Sequence, residues 1–548
     1  MNIEKTHRLI KGTSFETKIV SAYFLLLLAV GILVLPSVGI AWDEPAQRLN
    51  AGVSLIEVAK EISPSIIPKS YMEFSEDSWV KNAPVDHGVA FDAPVLILEH
   101  LLGLKDTRDI YRFHHFMNYL AFLVGTLAIF LMSRFRFKSW KVGLFSATIF
   151  VLSPRIFADA FYNSKDITFM CFLALSSYFV TRFLILHSRK AAICAGLIGG
   201  FATDIRVLGV VQIPIVIFIG SIWLLSNKDK SKKILSLLLL YVTTFIGSIY
   251  VFYPHIWKDP INRFWSSFQS LSKYNWQGKN RYLGSDILAS DLPWHYLPTW
   301  IAITTPLLYL LLFIIGLLLI VKNCTRDLST KIFTETKLQD SLYTFMFFTP
   351  LIAIVIFNAT LYDGWRHAFF IYPYFVMIAT IGFVFIRDQM NSTKLKAWLL
   401  YSCFVGYFVW IGSWMTINNP HQNLYFNSLS GDGLSTQWEM DYWGLSNKVA
   451  LEYILENDSA TSIKVREISF TPLEVSGKVI DSKNRKRLIF NVPISEADYL
   501  VNNYRLTNPI KYQKDIIGFS KVEDFKVDGE VFLTIYKRDS KVQESVKN

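Results

Sequence analysis

Charged residues are scarce in this chain. They make up 18% of its 548 residues, against 52% hydrophobic and 15% aromatic, and the mean hydropathy is +0.32. A disordered chain needs more charge and fewer apolar groups, and a collagen needs glycine at every third position rather than 27 in all. An ordinary soluble enzyme does not tolerate this balance either. Cysteine is also scarce. Cys171, Cys194, Cys324 and Cys403 lie inside apolar runs or in a basic loop, so no disulfide framework holds the other loops. There is no P-loop, no G-x-G-x-x-G after a strand, no H-E-x-x-H and no C-x-x-C pair. No internal repeat or low-complexity linker divides the chain.

What is present is a series of long apolar runs. About 20 helical residues cross a ~30 Å hydrocarbon core. Eleven runs approach or meet that length, near 19–40, 113–132, 142–152, 167–186, 191–202, 207–225, 234–253, 300–321, 342–359, 368–386 and 397–416. The third and fifth are short, which fits helices tilted into a bundle or partly re-entrant. No small-residue cleavage site follows the first, so it reads as an anchor rather than a signal peptide.

Basic residues orient these spans. The N-terminus and the short segments 134–141, 182–190, 228–233, 322–340 and 387–396 together hold 22 Lys and Arg against 7 Asp and Glu. Positive-inside assigns that side to the cytoplasm, and an odd number of spans then puts the tail outside, across a cell (inner) membrane. The net charge of +11 is thereby a topology signal and needs no nucleic acid to explain it.

Two outer regions are too long to be mere connectors, 41–112 and 253–298. In the first, Leu49, Val53, Ile56 and Ala59 recur at helical spacing opposite Arg48, Glu57 and Lys60, which predicts an amphipathic surface helix over 44–62. The second carries Trp257, Trp265, Tyr274, Trp276, Trp294 and Tyr296. Such aromatics form interfacial belts or pack on sugar rings, and the sequence leaves both readings open. The tail, 418–548, has turn glycines at Gly431, Gly433 and Gly444, a helical stretch at 447–456 and β-rich runs at 462–469, 488–492, 497–501 and 530–536. The expected fold is thus an α-helical polytopic membrane protein of about eleven transmembrane helices over 1–417, with a small extracytoplasmic α+β domain over 418–548.

Charges gather at the outer ends of the spans. Trp42-Asp43-Glu44-Pro45 follows the first span, His87 and Asp92 lie in the first outer loop, and Lys165-Asp166 opens the fourth span. Asp204 and Arg206 interrupt the fifth and sixth, and Asp363, Trp365, Arg366 and His367 form the turn before the tenth. Taken singly, Asp43 or Asp166 could be a helix cap, Arg366 an interfacial anchor and Asp204–Arg206 a structural ion pair. Charges at membrane depth are costly, so together they point to one polar cavity. Cations there suit a phosphate, and a carboxylate suits removal of a proton from an acceptor. A secondary transporter or lipid flippase is the rival reading.

The order of these motifs resembles the C-type (GT-C) glycosyltransferases of the protein O-mannosyltransferase and lipid A aminoarabinose transferase group. Trp42-Asp43-Glu44 is similar to their first-loop acidic pair, Phe91-Asp92-Ala93-Pro94 to a later loop segment, and Ala160–Asp166 to the segment bearing their second acid. Asp363-Gly364-Trp365-Arg366-His367 resembles an Arg-bearing turn, and Leu292–Pro298 and Asp441-Tyr442-Trp443-Gly444 resemble signatures of bacterial members. The resemblance covers the membrane portion and the first quarter of the tail. Where the aminoarabinose transferases have Lys-Pro-Pro after an acidic residue, this chain has Ala93-Pro94, so a phosphate-binding cation must come from elsewhere.

The resemblance implies a GT-C fold, a polyprenyl-phosphate sugar donor, a lipid, glycan or protein acceptor, and inverting transfer at the outer face. On that reading Asp43 is the general base, with Glu44 and Asp166 as further catalytic residues. Arg206, Arg366, His367 and Lys165 hold the donor phosphate, and His87, Asp92, Asp363 and Trp365 contact substrate. Arg155 is a further basic residue near the site. A divalent cation is compatible but not required, since basic residues can supply the charge. No site residue lies beyond His367, so the tail is expected to be separable from the chemistry.

Overall fold

Helices form where the apolar runs lie and stop where charge, proline or a left-handed residue interrupts them. The computed structural model describes residues 14–62, 87–272, 274, 276–327, 333–506 and 516–539. Helix α1 spans Ser14–Val34, α2 Glu44–Ile62 and α3 Asp92–Leu101, so the amphipathic helix has the bounds expected of it. Next come α4 Thr107–Phe137, α5 Trp140–Val151, α6 Pro154–Tyr162, α7 Asp166–Leu186 and α8 Arg189–Ile205. They are followed by α9 Gln212–Ser226, α10 Ser231–Phe252, α11 Pro260–Ser272, α12 Tyr296–Thr304, α13 Leu307–Asp327, α14 Glu335–Ile356, α15 Tyr372–Met390 and α16 Lys394–Ile417.

Among the described residues nine helices are long and apolar enough to cross a membrane, and the pair α5–α6 makes a tenth if it counts as one bent span. The sequence reading expected eleven. The difference lies in the two short runs. Helices α5 and α6 meet at 73°. Proline at position 154 cannot donate a backbone hydrogen bond and disfavours helical geometry at Ser153, so the helix breaks there. Helix α8 has 17 residues, about 26 Å at 1.5 Å per residue. It begins where α7 ends, and Arg206 just beyond it meets Asp166 at the start of α7. Helix α8 therefore runs between the same two ends as α7.

Ion pairs identify those ends. Glu16 near the start of α1 pairs with Arg134 late in α4 at 2.8 Å, and Arg136 pairs with Asp340 in α14 at 2.8 Å. The basic connections lie at this end. At the opposite end Asp43, Asp166, Arg206 and Arg366 come together. Small residues let helices close up between the two: a Cβ on Gly316 of α13 would stand 1.9 Å from Ile378 O, and one on Gly382 of α15 would stand 2.1 Å from Leu312 O.

The tail continues at the end that carries the charge cluster. Residues 418–446 pack on the bundle: Asn427 donates through Nδ2 to Ala302 O and Thr305 O, both at 2.6 Å. After them α17, Asn447–Asn457, leads into a five-stranded sheet. A separate hairpin, β1 Lys279–Tyr282 with β2 Ser285–Leu288, lies in the loop before α12. The sheet strands are β3 Ile463–Glu467, β4 Leu488–Ile489, β5 Tyr499–Asn502, β6 Phe519–Val527 and β7 Glu530–Arg538, in spatial order β4-β3-β5-β7-β6. Strand β3 runs parallel to β4 and β5, with Val465 opposite Tyr499, while β7 is antiparallel to β5 and β6. Asp528 and Gly529, both at positive φ, close the β6–β7 hairpin. Strands β1, β2 and β6 were not expected. Polar residues such as Lys521, Glu523 and Asp524 interrupt the apolar positions of β6, so it has no apolar alternation.

The tail is buckled to the exit of α1. Trp42 N–H donates to Trp443 O at 3.1 Å, Lys448 Nζ to Pro36 O at 2.5 Å and Asn419 Nδ2 to Ser37 Oγ at 2.9 Å. A Cβ at Gly39 would stand 2.3 Å from Leu445 O.

Candidate functional site

The charge cluster is built on helix ends and tight turns. Asp43 is held just after α1 and opens the turn into α2, where its carbonyl accepts Gln47 N–H at 3.0 Å. Its side chain is 42% exposed. Enclosure of the carboxyl raises its pKa above the ordinary range, Arg366 lowers it, and Asp363 and Asp166 raise it further. Asp166 is the first residue of α7. Its N–H is capped by Asn163 Oδ1 at 2.8 Å, and its buried carboxylate takes Arg206 on one oxygen and Arg366 at 3.3 Å on the other.

Arg366 is the hub. Asp363 and Gly364 adopt left-handed backbone, φ 59° and 68°, and turn the chain so that Arg366 points back across the turn. Its guanidinium donates to Asp363 Oδ2 through Nη2 at 3.0 Å and Nε at 3.2 Å, reaches Asp166, and lies 3.7 Å from Asp43. Tyr362 and Trp443 lie against it, each ring centre 4.8 Å from the guanidinium carbon. The arginine is only 4% exposed. Such a saturated group positions carboxylates better than it binds a ligand.

Arg206, at the end of α8, is 24% exposed and paired on one side by Asp166. Of the four proposed phosphate-binding groups it is the one that joins the carboxylate cluster and keeps an open face. Lys165 is buried, donating to Gly88 O and pairing with Asp92 at 2.7 Å. The two groups neutralise each other. Asp204 accepts Ala90 N–H at 2.5 Å and so ties the same loop to α8. His367 packs edge-on to Tyr362, ring centres 4.6 Å apart.

The remaining sequence assignments separate in the same way. Glu44 is buried, accepting Ala41 N–H at 2.7 Å and paired with His115 at 2.8 Å, so it braces the start of α2. Trp365 is buried, and its indole donates to Thr304 Oγ1 at 2.8 Å. His87 lends its carbonyl to Asn50 Nδ2 at 2.9 Å and its ring lies edge-on to Tyr274. Tyr274 and Trp276 both approach Tyr362, Trp276 stacked at 4.7 Å. These two of the loop aromatics flank the cluster, whereas Trp265 and Trp294 face outward. Arg155 lies buried under Trp300 and Phe426.

The tail also reaches the cluster, where the sequence reading placed no group beyond His367. Asp441 accepts the N–H groups of Leu445 and Ser446 at 3.1 and 2.9 Å, and this turn sets Trp443 on Arg366. Arg505, just after β5, donates to Asp363 Oδ1 at 2.8 Å and contacts Glu439. The Asp441–Gly444 motif is the one sequence signal for this arrangement; nothing in the local sequence marks Arg505 or Glu439.

Among the described residues no group of three or more His, Cys, Asp or Glu side chains could hold a metal ion. Asp166 and Asp363 already have both oxygens engaged by arginines. Asp43, at 42%, is the most exposed of the cluster carboxylates.

A family model described as dolichyl-phosphate-mannose-protein mannosyltransferase matches residues 113–257. That stretch runs from α4 to just beyond α10 and contains Asp166, Asp204 and Arg206. No curated protein sequence matches the chain. Solved structures with similar architecture include an apo oligosaccharyltransferase from Archaeoglobus fulgidus, at 9% identity and TM-score 0.46, covering 89% of this chain and 65% of that one. ArnT from Cupriavidus metallidurans in the apo state is 12% identical with TM-score 0.46, covering 95% of this chain and 99% of that one. The same protein bound to undecaprenyl phosphate is 10% identical with TM-score 0.43, covering 94% and 98%. This chain thus spans just under two thirds of the archaeal enzyme's length. At these scores the likenesses are ones of outline, and the family model adds independent support to the resemblance across its matched residues.

Proposed function

We propose that this protein is a membrane glycosyltransferase that moves a sugar from a polyprenyl-phosphate donor to a hydroxyl acceptor at the end of the bundle bearing Asp43. The observation that carries the reading is one accessible carboxylate beside a partly open cation, within a network whose other charges are paired and buried. Asp43 takes the proton from the acceptor hydroxyl as its oxygen attacks the anomeric carbon. The bond from that carbon to the phosphate oxygen breaks, and polyprenyl phosphate leaves with the electron pair on the face opposite the attack. Arg206 neutralises the charge that develops on the phosphate. Asp166 holds Arg206 and Arg366 in place, and Asp363 aims Arg366 at Asp43. Exposed Tyr274 offers a face for a sugar ring, beside the stacked pair Trp276 and Tyr362. The acceptor is a lipid, glycan or protein hydroxyl, and the basic residues supply the charge that a divalent cation would otherwise bring.

Purified protein in liposomes, given a radiolabelled sugar on polyprenyl phosphate, is expected to release polyprenyl phosphate and pass the label to an acceptor. Donor recovered intact, above all if moved across the bilayer, would sink the reading and favour a transporter or flippase.

The basic end faces the cytoplasm of a cell (inner) membrane on the positive-inside rule, which sets Asp43 and the tail outside. A single cysteine at exposed Ser459 is expected to label with a membrane-impermeant thiol reagent on intact spheroplasts. Protection until the membrane is broken would invert the topology.

A further inference from the structure

Arg505 lies far from the membrane segments in sequence yet ends inside the charge cluster. Tyr504 and Leu506 flank it at φ 60° and 57°, an unusual backbone for residues with a Cβ. The segment is clasped by Asn502 Oδ1, which accepts Tyr504 N–H at 2.8 Å, and by Asn503 Nδ2, which donates to Asp441 O at 3.1 Å. Arg505 itself is 2% exposed, one Nη against Glu439 and the other on Asp363 Oδ1 at 2.8 Å, with its guanidinium carbon 5.8 Å from the Trp276 ring centre.

Asp363 is therefore shared by two arginines. Arg505 takes Oδ1 from the tail side, and Arg366 takes Oδ2 from the bundle side. Charges alternate along the chain Glu439, Arg505, Asp363, Arg366, with Asp166 and Asp43 beyond. The last contact, 3.7 Å to Asp43, is the longest and so the easiest to lose. Without Arg505 the Asp363 carboxylate loses the contact that fixes its Oδ1, and Arg366, held on Oδ2, is no longer kept in place against Asp43.

We propose that Arg505 is a positioning residue, which through Asp363 holds Arg366 against Asp43, so that the C-terminal domain completes the transfer site. This rests on the sugar-transfer reading above. Asp43 is faced by Arg366 and Asp363 from the turn before α15, by Asp166 from the start of α7 and by Arg206 from the end of α8. Loosening Arg366 removes the strongest cationic influence on Asp43, and its carboxyl then holds its proton to higher pH.

The test is Arg505→Met in the full-length protein reconstituted with the radiolabelled donor. The acidic limb of kcat is expected to move up by about one pH unit, so that at a pH below the limb kcat falls about tenfold. KM for the donor should change less than about twofold, because the partly open cation is untouched, and activity should recover as the pH is raised. Arg505→Lys should recover part of the loss, a point charge replacing a fork. Asp363→Asn combined with Arg505→Met should be no worse than the worse single variant, since both cut one link. If Arg505→Met does not fold, Arg505→Gln carries the same expectation. A folded variant with an unmoved acidic limb, or a loss equal at every pH, would overturn the inference. Failure of the unaltered protein to use the donor would instead bring down the functional reading itself.

Discussion

Replacing Asp43 with Asn is expected to lower transfer by about 10²–10⁴-fold, the range for loss of a positioned general base. The substitution keeps size and polarity, and Asp43 is the least buried carboxylate of the cluster, with one arginine 3.7 Å away. Its loss should therefore leave the bundle folded, checked by elution and thermal unfolding in detergent. The pH profile gives the sign. Enclosure and the neighbouring carboxylates raise the Asp43 pKa above the ordinary carboxylate range, so the base is lost as pH falls through that raised value. The unaltered protein should show an acidic limb above about pH 4, the reference value for Asp, and Asp43→Asn should lack it. Retention of more than about a tenth of activity, well outside the stated range, would remove Asp43 from the role. Asp166 is a poor substitute, because both its oxygens are engaged by arginines.

Arg366→Ala should act on stability as much as on catalysis. It strips the buried Asp363 and Asp166 of a shared partner and empties the slot beside Tyr362 and Trp443. Breaking a buried ion pair from one side costs about 3–5 kcal/mol, so a lower unfolding temperature and detachment of the tail are expected. Arg366→Lys keeps the charge but cannot reach Asp363 and Asp166 together, and should fold while losing about tenfold or more in rate. Limited proteolysis of the tail, read beside donor turnover, checks both. An alanine variant with normal stability, or full activity with Lys, would show that the hub is a simple anchor. The sequence reading placed both arginines on the donor phosphate; a selective loss of donor use is expected of Arg206, 24% exposed, rather than of Arg366, 4% exposed.

The sequence determined how deep each residue sits. Hydropathy located the crossing segments, the shortness of 142–152 and 191–202 anticipated the bent pair and the 17-residue α8, and basic residues marked one end of the bundle. Counting span ends was then enough to bring Asp43, Asp166, Arg206 and Arg366 to one level, because a bilayer turns a linear pattern into a set of depths. Which groups at that level face each other was not legible. Lys165 is spent on Asp92 and Glu44 on His115, pairings that depend on how the helices are arranged around the bundle axis, and hydropathy carries no information about that angle. The tail was still less readable. Its polar edge strand β6 has no apolar alternation, and Arg505 reaches Asp363 across 142 residues of chain. Only packing of the sheet domain onto the bundle brings those two together, through contacts too distant in sequence for any local pattern to encode.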